Sequence, residues 1–221
     1  MRTSPSTPLH HGRLIIPTYK HTHLLEKLLT HLVHPKPPPS LHQIVLVWQN
    51  VGVPLPAFLE PAALAQIRHD TGVAVAVRLS QRNSKNEQFR PLRGWGKPIL
   101  TRAVMLLDDD VVLRKETIEW GWHEFARANP ALSRRAPRTG RMVGFQGRDW
   151  IHHPHRVAEG EEWEFNSHPE DRVGLVLTSG AWVKTEWLEH YWADSKEMLQ
   201  LRTYVDRSKL HPYRSTSDTF R

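Results

Sequence analysis

The chain has 221 residues, of which 39% are hydrophobic, and it carries a formal net charge of +7. This length and composition suffice for the core of one globular domain, and the absence of cysteine excludes a disulfide framework and a thiolate metal site. No run of about 18 apolar residues occurs, so the sequence predicts neither a transmembrane helix nor a secretory signal in this chain. The basic balance suits polyanionic partners, although the cations are scattered rather than clustered.

Short apolar runs alternate with stretches of helical periodicity, which is typical of an α/β domain with a largely parallel sheet. The first strand is predicted over residues 13–19. A helix follows over residues 22–33, with Thr22 as its cap and the prolines of "HPKPPPS" as its end. Three further strands are apolar on both faces, which predicts central positions in the sheet; they cover residues 43–48, 73–79 and 103–107.

The alternation continues in the second half of the chain. The remaining predicted elements are helices over residues 61–69 and 115–129, strands over 141–145 and 173–178, and a helix that starts at residue 184. No internal repeat interrupts this order. The sequence therefore predicts a largely parallel sheet with helices packed against it.

The segment "MLLDDDVVL" places three consecutive aspartates after a buried strand. Asp108, Asp109 and Asp110 are predicted at the C-terminal end of that strand, where open α/β sheets form their ligand crevices. Adjacent carboxylates repel one another, and either solvent or a bound cation relieves the repulsion. A divalent ion held by one carboxylate neutralises a diphosphate leaving group, while a neighbouring acid orients sugar hydroxyls. A solvated loop is the alternative reading of the triplet alone.

Six segments in order resemble the exostosin-type glycosyltransferases, family 64. They are "PTYKHTHLLEKLLTHL", "IVLVWQNVGVPLP", "NSKNEQFRPL", "AVMLLDDDVVL", "MVGFQGRDW" and "VLTSGAW". The resemblance implies a GT-A-like nucleotide-diphospho-sugar transferase fold, with a twisted, mainly parallel sheet and helices on both faces. It also implies a Mn2+-dependent, retaining transfer of a sugar such as N-acetylglucosamine from UDP to a glycan or glycoconjugate acceptor.

The resemblance assigns roles to individual residues. Donor binding falls on nine positions: Thr18, Tyr19, Lys20, Asn50, Asn83, Asn86, Asp108, Asp109 and Arg148. Asp110 is implied as the Mn2+ ligand, and Gly180 and Ala181 are implied on the acceptor side. The amides suit a uracil and sugar hydroxyls, and the guanidinium suits a phosphate. Taken singly, each residue also has a structural reading, as a core, turn or surface residue.

Two arginines of the family pattern are replaced in this chain. The family's opening "TYKR" and its "NSLNNRFLP" loop contain arginines, and His21 and Gln88 stand in their places. After "LRTYVD" the family's "NCEDIAMNF" motif does not appear, so the catalytic acid is unassigned; the alternatives are Asp149, Glu164 and Asp206. We therefore expect weak donor binding and little or no turnover.

The domain boundaries follow from the same comparison. We expect an incomplete family 64-like domain over residues 13–206, a disordered N-terminal tail over 1–12 and a divergent tail over 207–221. The family's residence in the Golgi or endoplasmic reticulum would require a membrane anchor supplied by sequence outside this chain.

Two other functions are open on the sequence. A non-catalytic carbohydrate- or nucleotide-binding module is suggested by the nine tryptophans, although five lie in apolar helical patterns that favour packing: Trp120, Trp122, Trp182, Trp187 and Trp192. A metal-dependent hydrolase is suggested by two histidine clusters: His21 with His23, and His152 with His153 and His155. Nucleic-acid binding has only the net charge in its favour, since no recognition motif is found.

Overall fold

The computed structural model describes residues 12–91, 101–130, 140–153, 163–166, 175–193, 198–200 and 202–203. The two predicted tails lie outside these residues, except for Gly12, which begins the first strand. His155 and Asp206 also lie outside them. Within the described residues, no helix is both long and apolar enough to cross a membrane.

The described residues form two sheets, four α-helices, two short 3₁₀ segments and helical residues at 198–200 and 202–203. The main sheet contains β1 Gly12–Thr18, β2 Leu41–Trp48, β3 Ala74–Leu79, β4 Ala103–Leu107, β5 Val143–Gly144 and β9 Gly180–Lys184. The smaller sheet contains β6 Gly147–His152, β7 Trp163–Asn166 and β8 Leu175–Val176. The helices are α1 Thr22–Val33, α2 Pro61–Thr71, α3 Lys115–Ala128 and α4 Thr185–Tyr191. The 3₁₀ segments are η1 Ala57–Leu59 and η2 Lys85–Phe89.

The main sheet is mainly parallel and has the strand order β3-β2-β1-β4-β9-β5. The first four strands of this order run parallel, while β9 runs antiparallel to both of its neighbours. The second and third strands of the chain lie on one side of β1, and the fourth lies on the other. The strand order therefore reverses between β1 and β4, and open α/β sheets bind their ligands at such a switch point.

Helices cover both faces of this sheet. Leu28 of α1 and Phe125 of α3 belong to one buried cluster, and Leu188 of α4 belongs to the cluster on the opposite face. Successive residues of β1 alternate between the two, since Leu14 joins the first and Ile15 the second. Each fully buried aliphatic or aromatic side chain contributes about 1.5 to 3 kcal/mol to folding. The predicted α/β fold, with a mainly parallel sheet and helices on both faces, is confirmed.

Most element boundaries agree with the sequence prediction. Helix α1 and strand β4 have the predicted limits, and the first four strands end at Thr18, Trp48, Leu79 and Leu107. The prediction that β3 is central is wrong: it is an edge strand of the described sheet, and Leu79 is 65% exposed. Thr22 is the first helical residue rather than the cap; His21 takes that position without a side-chain bond to the helix.

The tryptophans divide between the core and the surface. Trp122 and Trp182 are buried, with ring centroids 5.1 Å apart, which confirms their packing role. Trp187 packs against the α4 face of the sheet, and Trp192 lies between two guanidinium groups. Trp120 is different, because it is 58% exposed although it lies in the same apolar pattern as Trp122. Trp120 is therefore not a core residue, but its ring packs on the helix face, with its centroid 6.3 Å from that of Phe145.

Candidate functional site

The candidate site lies where the four parallel strands end. The segments that follow β1, β2, β3 and β4 leave the same edge of the sheet, because parallel strands share their direction. Backbone hydrogen bonds from Gln49 to Thr18, 3.0 Å, and from Ser80 to Trp48, 2.8 Å, hold these exits side by side. We call residues 18–21, 49–50, 83–88 and 108–110 the carboxyl-edge cluster. It contains eight of the nine predicted donor-binding residues together with Asp110.

The turn after β1 is fixed by an asparagine from the neighbouring strand. Lys20 has a φ of +65°, which costs a non-glycine residue about 1 kcal/mol. Its backbone N–H donates to Asn50 Oδ1 at 2.8 Å, and Asn50 is only 7% exposed. Tyr19 is exposed, with the Lys20 ammonium 5.0 Å from its ring centroid. The hydroxyl of Thr18 is buried and has no hydrogen-bond partner among the described residues.

The three aspartates have three different environments. Both carboxylate oxygens of Asp108 lie 3.2 Å from Lys85 Nζ. Asp109 is nearly buried: its Oδ1 lies 3.2 Å from His21 Nδ1, and its Oδ2 has no hydrogen-bond partner among the described residues. Asp110 is exposed and makes no hydrogen bond or ion pair within the described part of the chain. The triplet is therefore two paired carboxylates followed by one that is open to solvent.

Segment η2 is anchored to the sheet and to α4. The Ser84 N–H donates to Gln49 Oε1 at 2.8 Å, and Ser84 Oγ accepts from the Asn86 N–H at 3.1 Å. Asn86 is fully buried; its Nδ2 donates to the Arg202 carbonyl oxygen at 2.9 Å, and its Oδ1 accepts from the Tyr191 hydroxyl. Both the oxygen and the nitrogen of the Asn86 side-chain amide are thus used within the fold. Asn83, one position before Ser84, is exposed.

A buried charge network supports η2 from the edge strand. Arg78 of β3 donates to the Arg90 carbonyl oxygen at 3.0 Å and to the Glu87 carbonyl oxygen. The buried Glu87 carboxylate lies 3.5 Å from Arg82 and 3.6 Å from Arg90. Burial lowers the pKa of Arg78 to about 10, and the Glu87 charge opposes part of that shift. Arg78 remains charged at neutral pH, so the network holds the end of η2 at all physiological pH values.

The two residues predicted on the acceptor side lie on β9, which pairs with the strand that precedes the aspartates. Gly180 pairs with Leu107, the residue before Asp108, and Ala181 pairs with Leu106. Both are buried, and Ala181 is completely inaccessible. The structure therefore brings Gly180 to the carboxyl edge, while Ala181 lies one step further into the sheet.

The ninth predicted donor residue lies in the smaller sheet. Arg148 is on β6, and its guanidinium donates to the Gly147 carbonyl oxygen at 2.7 Å. Two of the alternative acids are in the same sheet: Asp149 pairs with Asn166, and the exposed Glu164 lies 2.9 Å from His153. The backbone bond from Leu177 to Gln146, 2.9 Å, leads from this sheet towards β5 and β9 of the main sheet.

The cluster can hold a divalent cation only with help from a ligand. Among the described residues, no group of three or more His, Cys, Asp or Glu side chains could bind a metal. Asp110 offers one exposed carboxylate, and the oxygens of a nucleotide diphosphate would supply further ligands of the kind that hard cations prefer. Asp110 is therefore the residue of the cluster that could hold Mn2+, with oxygen atoms of a bound nucleotide as the remaining ligands.

The two histidine clusters are separate features. His21 and His23 lie at the junction of β1 and α1, and His152 and His153 lie at the end of β6 in the other sheet. His21 lies against Asp109 and His153 against Glu164. The described residues thus contain no combined histidine site of the kind that a metal-dependent hydrolase uses.

The sequence patterns do not predict three further residues of the cluster. Gln49 and Ser84 join β2 to η2, and Lys85 pairs with Asp108. A local pattern marks Ser84 alone: "SKNE" has the spacing of a capping box, with a hydroxyl residue three positions before a glutamate. Ser84 does cap η2. The contacts of Gln49 and Lys85 join distant parts of the chain, so no local pattern marks them.

The sheet and its cluster define an open α/β protein that carries polar and acidic side chains at the strand-order switch. Residues 13–210 match the family model described as the glycosyl transferase family 64 domain. The match covers most of the chain, so the chain belongs to glycosyl transferase family 64 and is a glycosyltransferase by family. The predicted family is confirmed.

Named relatives agree with this assignment. The chain is 29% identical over 175 residues to glucosamine inositolphosphorylceramide transferase 1 of Oryza sativa subsp. japonica, covering 76% of this chain and 19% of the relative. It is 26% identical over 168 residues to glycosyltransferase family protein 64 C3 of Arabidopsis thaliana, covering 75% and 45%. It is 24% identical over 182 residues to exostosin-like 2 of Homo sapiens, covering 80% and 48%. The chain therefore spans less than half of each relative.

Solved structures of two other transferases align with parts of the chain. The mannosyltransferase PcManGT from Pyrobaculum calidifontis, in complex with GDP-Man and Mn2+, aligns over 83% of this chain and 47% of its own, with 18% identity and a TM-score of 0.42. S. aureus TarS 1-349, in complex with UDP-GlcNAc, aligns over 53% of this chain and 31% of its own, with 18% identity and a TM-score of 0.33.

Proposed function

We propose that the chain binds a UDP-sugar at the carboxyl-edge cluster with Mn2+ and transfers the sugar, an N-acetylhexosamine, to a glycan acceptor with retention of configuration, at a low rate because the sequence lacks the family's "NCEDIAMNF" motif. Family membership supports the transferase chemistry. The observation that carries the proposal is the difference in environment among the three aspartates. Only Asp110 is both exposed and without a partner among the described residues at the strand-order switch. A solvated loop would leave all three carboxylates open to water.

The environments of the polar residues suit the parts of such a donor. Tyr19 offers an exposed ring, and Asn50 fixes the turn that presents it. The buried Asp109 Oδ2 and Thr18 Oγ1 have no partner among the described residues, and buried polar atoms are normally hydrogen-bonded. A ribose or sugar hydroxyl would satisfy Asp109 Oδ2 by donating to it. Exposed Asn83 is available for a further bond to the donor.

The aspartates would divide the charges of the reaction between them. Asp110 would hold Mn2+, which when bound supplies counter-charge to the diphosphate leaving group. Asp108 is already paired with the Lys85 ammonium, so it adds less repulsion to an incoming diphosphate than a free carboxylate would. The acceptor would approach from the side of Gly180, which adjoins the end of β4.

A titration of UDP with and without Mn2+ tests the donor site. We expect the wild-type chain to bind UDP at least tenfold more tightly with Mn2+ than with a chelator, a difference of about 1.4 kcal/mol. Asp110→Asn removes the charge that holds the ion, so UDP affinity in this variant should be the same in both conditions. Calorimetric titration measures both.

Asp70→Asn is the matched control. Asp70 is an exposed aspartate that is hydrogen-bonded to Gln66 and lies near the end of α2, next to the amino end of β3 and therefore at the opposite edge of the sheet. This variant should retain the full Mn2+ effect. Equal UDP affinity of the wild-type chain with and without Mn2+ would contradict the proposed metal role and favour a non-catalytic binding module.

The sugar and the stereochemistry need a transfer assay. UDP-N-acetylglucosamine should be consumed faster than UDP-glucose with a glycan acceptor that contains hexuronic acid, and nuclear magnetic resonance of the new linkage should show the anomeric configuration of the donor. An inverted product would contradict the proposal of retention. Family resemblance also supports residence in the Golgi or endoplasmic reticulum, which organelle fractionation tests.

A further inference from the structure

Lys85 is the only lysine or arginine of the described residues that is paired with the aspartate triplet. Its Nζ lies 3.2 Å from both oxygens of Asp108, and its side chain is 51% exposed. It stands where the family's "NSLNNRFLP" loop has leucine, in a chain that has His21 and Gln88 in place of two family arginines. The carboxyl-edge cluster therefore contains a cation at a position where the family pattern predicts none.

The backbone of Lys85 is held from both sides. Ser84 is bonded to Gln49, and Asn86 is bonded to Tyr191 and Arg202. Both neighbours are buried, whereas the Lys85 side chain is half exposed. The ammonium is the part of this segment that can change partners without moving the backbone, since the lysine stem has several rotatable bonds.

The negative charge of the three aspartates favours a cation beside the site at which a diphosphate would bind. A nucleotide diphosphate that approaches three carboxylates is repelled by each of them, and this repulsion is strong near a protein surface. Mn2+ at Asp110 would offset one part of it. His21 lies against Asp109 and not against Asp108. The Lys85 ammonium is the permanent charge closest to Asp108 in the described part of the chain.

We propose that Lys85 is a diphosphate-binding residue, which pairs with Asp108 in the free protein and donates hydrogen bonds to the diphosphate of the bound nucleotide. This inference rests on the proposed function. It adds a donor-specific contact to the site, and it predicts that Asp108 competes with the nucleotide for the same ammonium group. No covalent step is involved, because the ammonium exchanges one anionic partner for another.

Calorimetric titration with UDP in the presence of Mn2+ tests the contact. Lys85→Met should weaken UDP binding about tenfold, since a charge-assisted hydrogen bond to phosphate is lost. Lys85→Arg should keep the affinity within about threefold of the wild-type value, because the charge is kept. Lys27→Met, which removes an exposed lysine of α1, should leave the affinity unchanged. Thermal unfolding of each variant checks that the fold is retained.

The Asp108→Asn background separates direct binding from neutralisation of Asp108. If Lys85 contacts the diphosphate, Lys85→Met should weaken UDP binding in this background at least as much as in the wild-type chain, because the competing carboxylate is gone. If Lys85 only neutralises Asp108, the effect of Lys85→Met should vanish there, which would overturn the inference. An unchanged UDP affinity of Lys85→Met in the wild-type background would also overturn it and leave the proposed function standing. Failure of the wild-type chain to bind UDP would contradict both.

Discussion

The two asparagines of "NSKN" have opposite environments although they are three residues apart. Asn83 is exposed, whereas Asn86 is completely buried, and both the oxygen and the nitrogen of its side-chain amide are hydrogen-bonded within the fold. Tyr191 donates to its oxygen, and its nitrogen donates to the Arg202 carbonyl. Family resemblance assigns both asparagines to donor binding, and the structure gives Asn86 a structural task that is sufficient to explain it.

A paired substitution distinguishes the two tasks. Asn86→Ala should lower the free energy of unfolding by about 2 kcal/mol, because it leaves the Tyr191 hydroxyl and the Arg202 carbonyl without their partner. Asn83→Ala should leave that free energy unchanged and weaken UDP binding about tenfold. Urea denaturation and calorimetric titration measure the two quantities. An Asn83→Ala variant that binds UDP like the wild type would remove Asn83 from the donor site.

At the scale of elements, the site depends on the packing of β1 and β9 against α3. Gly12 of β1 faces the indole of Trp182, a residue of β9 that is fully buried. A Cβ at position 12 would approach Trp182 Cη2 more closely than real Cβ atoms do. Trp182 in turn packs on Trp122 and Phe125 of α3. The glycine is therefore required by close approach rather than by its backbone angles.

Substitution of strand glycines tests this packing. Gly12→Ala should lower the free energy of unfolding by about 2 kcal/mol, because Trp182 is surrounded by other rings and cannot move away. Gly180→Ala on β9 is the matched control, since its new Cβ would lie 3.6 Å from Leu113 and Phe145, an ordinary contact distance. This variant should change stability by less than about 0.5 kcal/mol. Equal losses in both variants would show that the Trp182 packing is not the cause.

The elements that could be predicted are those with a complete local pattern. Helix α1 has a leucine stripe of helical period and prolines after its end, and β4 is an uninterrupted apolar run. Strand β9, "GAWVK", has no such pattern; its burial comes from antiparallel pairing with β4, more than 70 residues earlier in the chain. Strand β3 is as apolar as a central strand, and its edge position depends on which neighbours the chain supplies.

The candidate site was predictable to the extent that it follows the strand ends. Thr18 ends β1, Asn50 lies two residues after β2, and the aspartates come directly after β4, so the parallel topology brings them together. The pairings among them were not predictable, because the bonds of His21 to Asp109 and of Lys85 to Asp108 join side chains 88 and 23 residues apart. Asn86 has the same residue type as Asn83, and only the contacts with Tyr191 and Arg202 distinguish its role.

For the whole molecule, the topology decides where a donor can bind. The order β3-β2-β1-β4 places β2 on one side of β1 and β4 on the other, and open α/β sheets bind their ligands at the carboxyl ends of the strands at such a switch point. All three aspartates and the turn at Lys20 lie on this edge. Gly180 of β9 pairs with Leu107 beside this edge, and the smaller sheet continues through the pairing of Gly147 with Val176. The central claim is that a UDP-sugar binds at this edge.

Hydrogen exchange of the full chain with and without UDP and Mn2+ measures this claim most directly. Bound donor should slow the exchange of backbone amides in residues 19–21, 49–53 and 108–111, which follow β1, β2 and β4. The last turn of α2, at the opposite edge of the sheet, should exchange at an unchanged rate. Slowed exchange in all three segments is the predicted result; unchanged exchange in all three at a saturating UDP concentration would contradict the account.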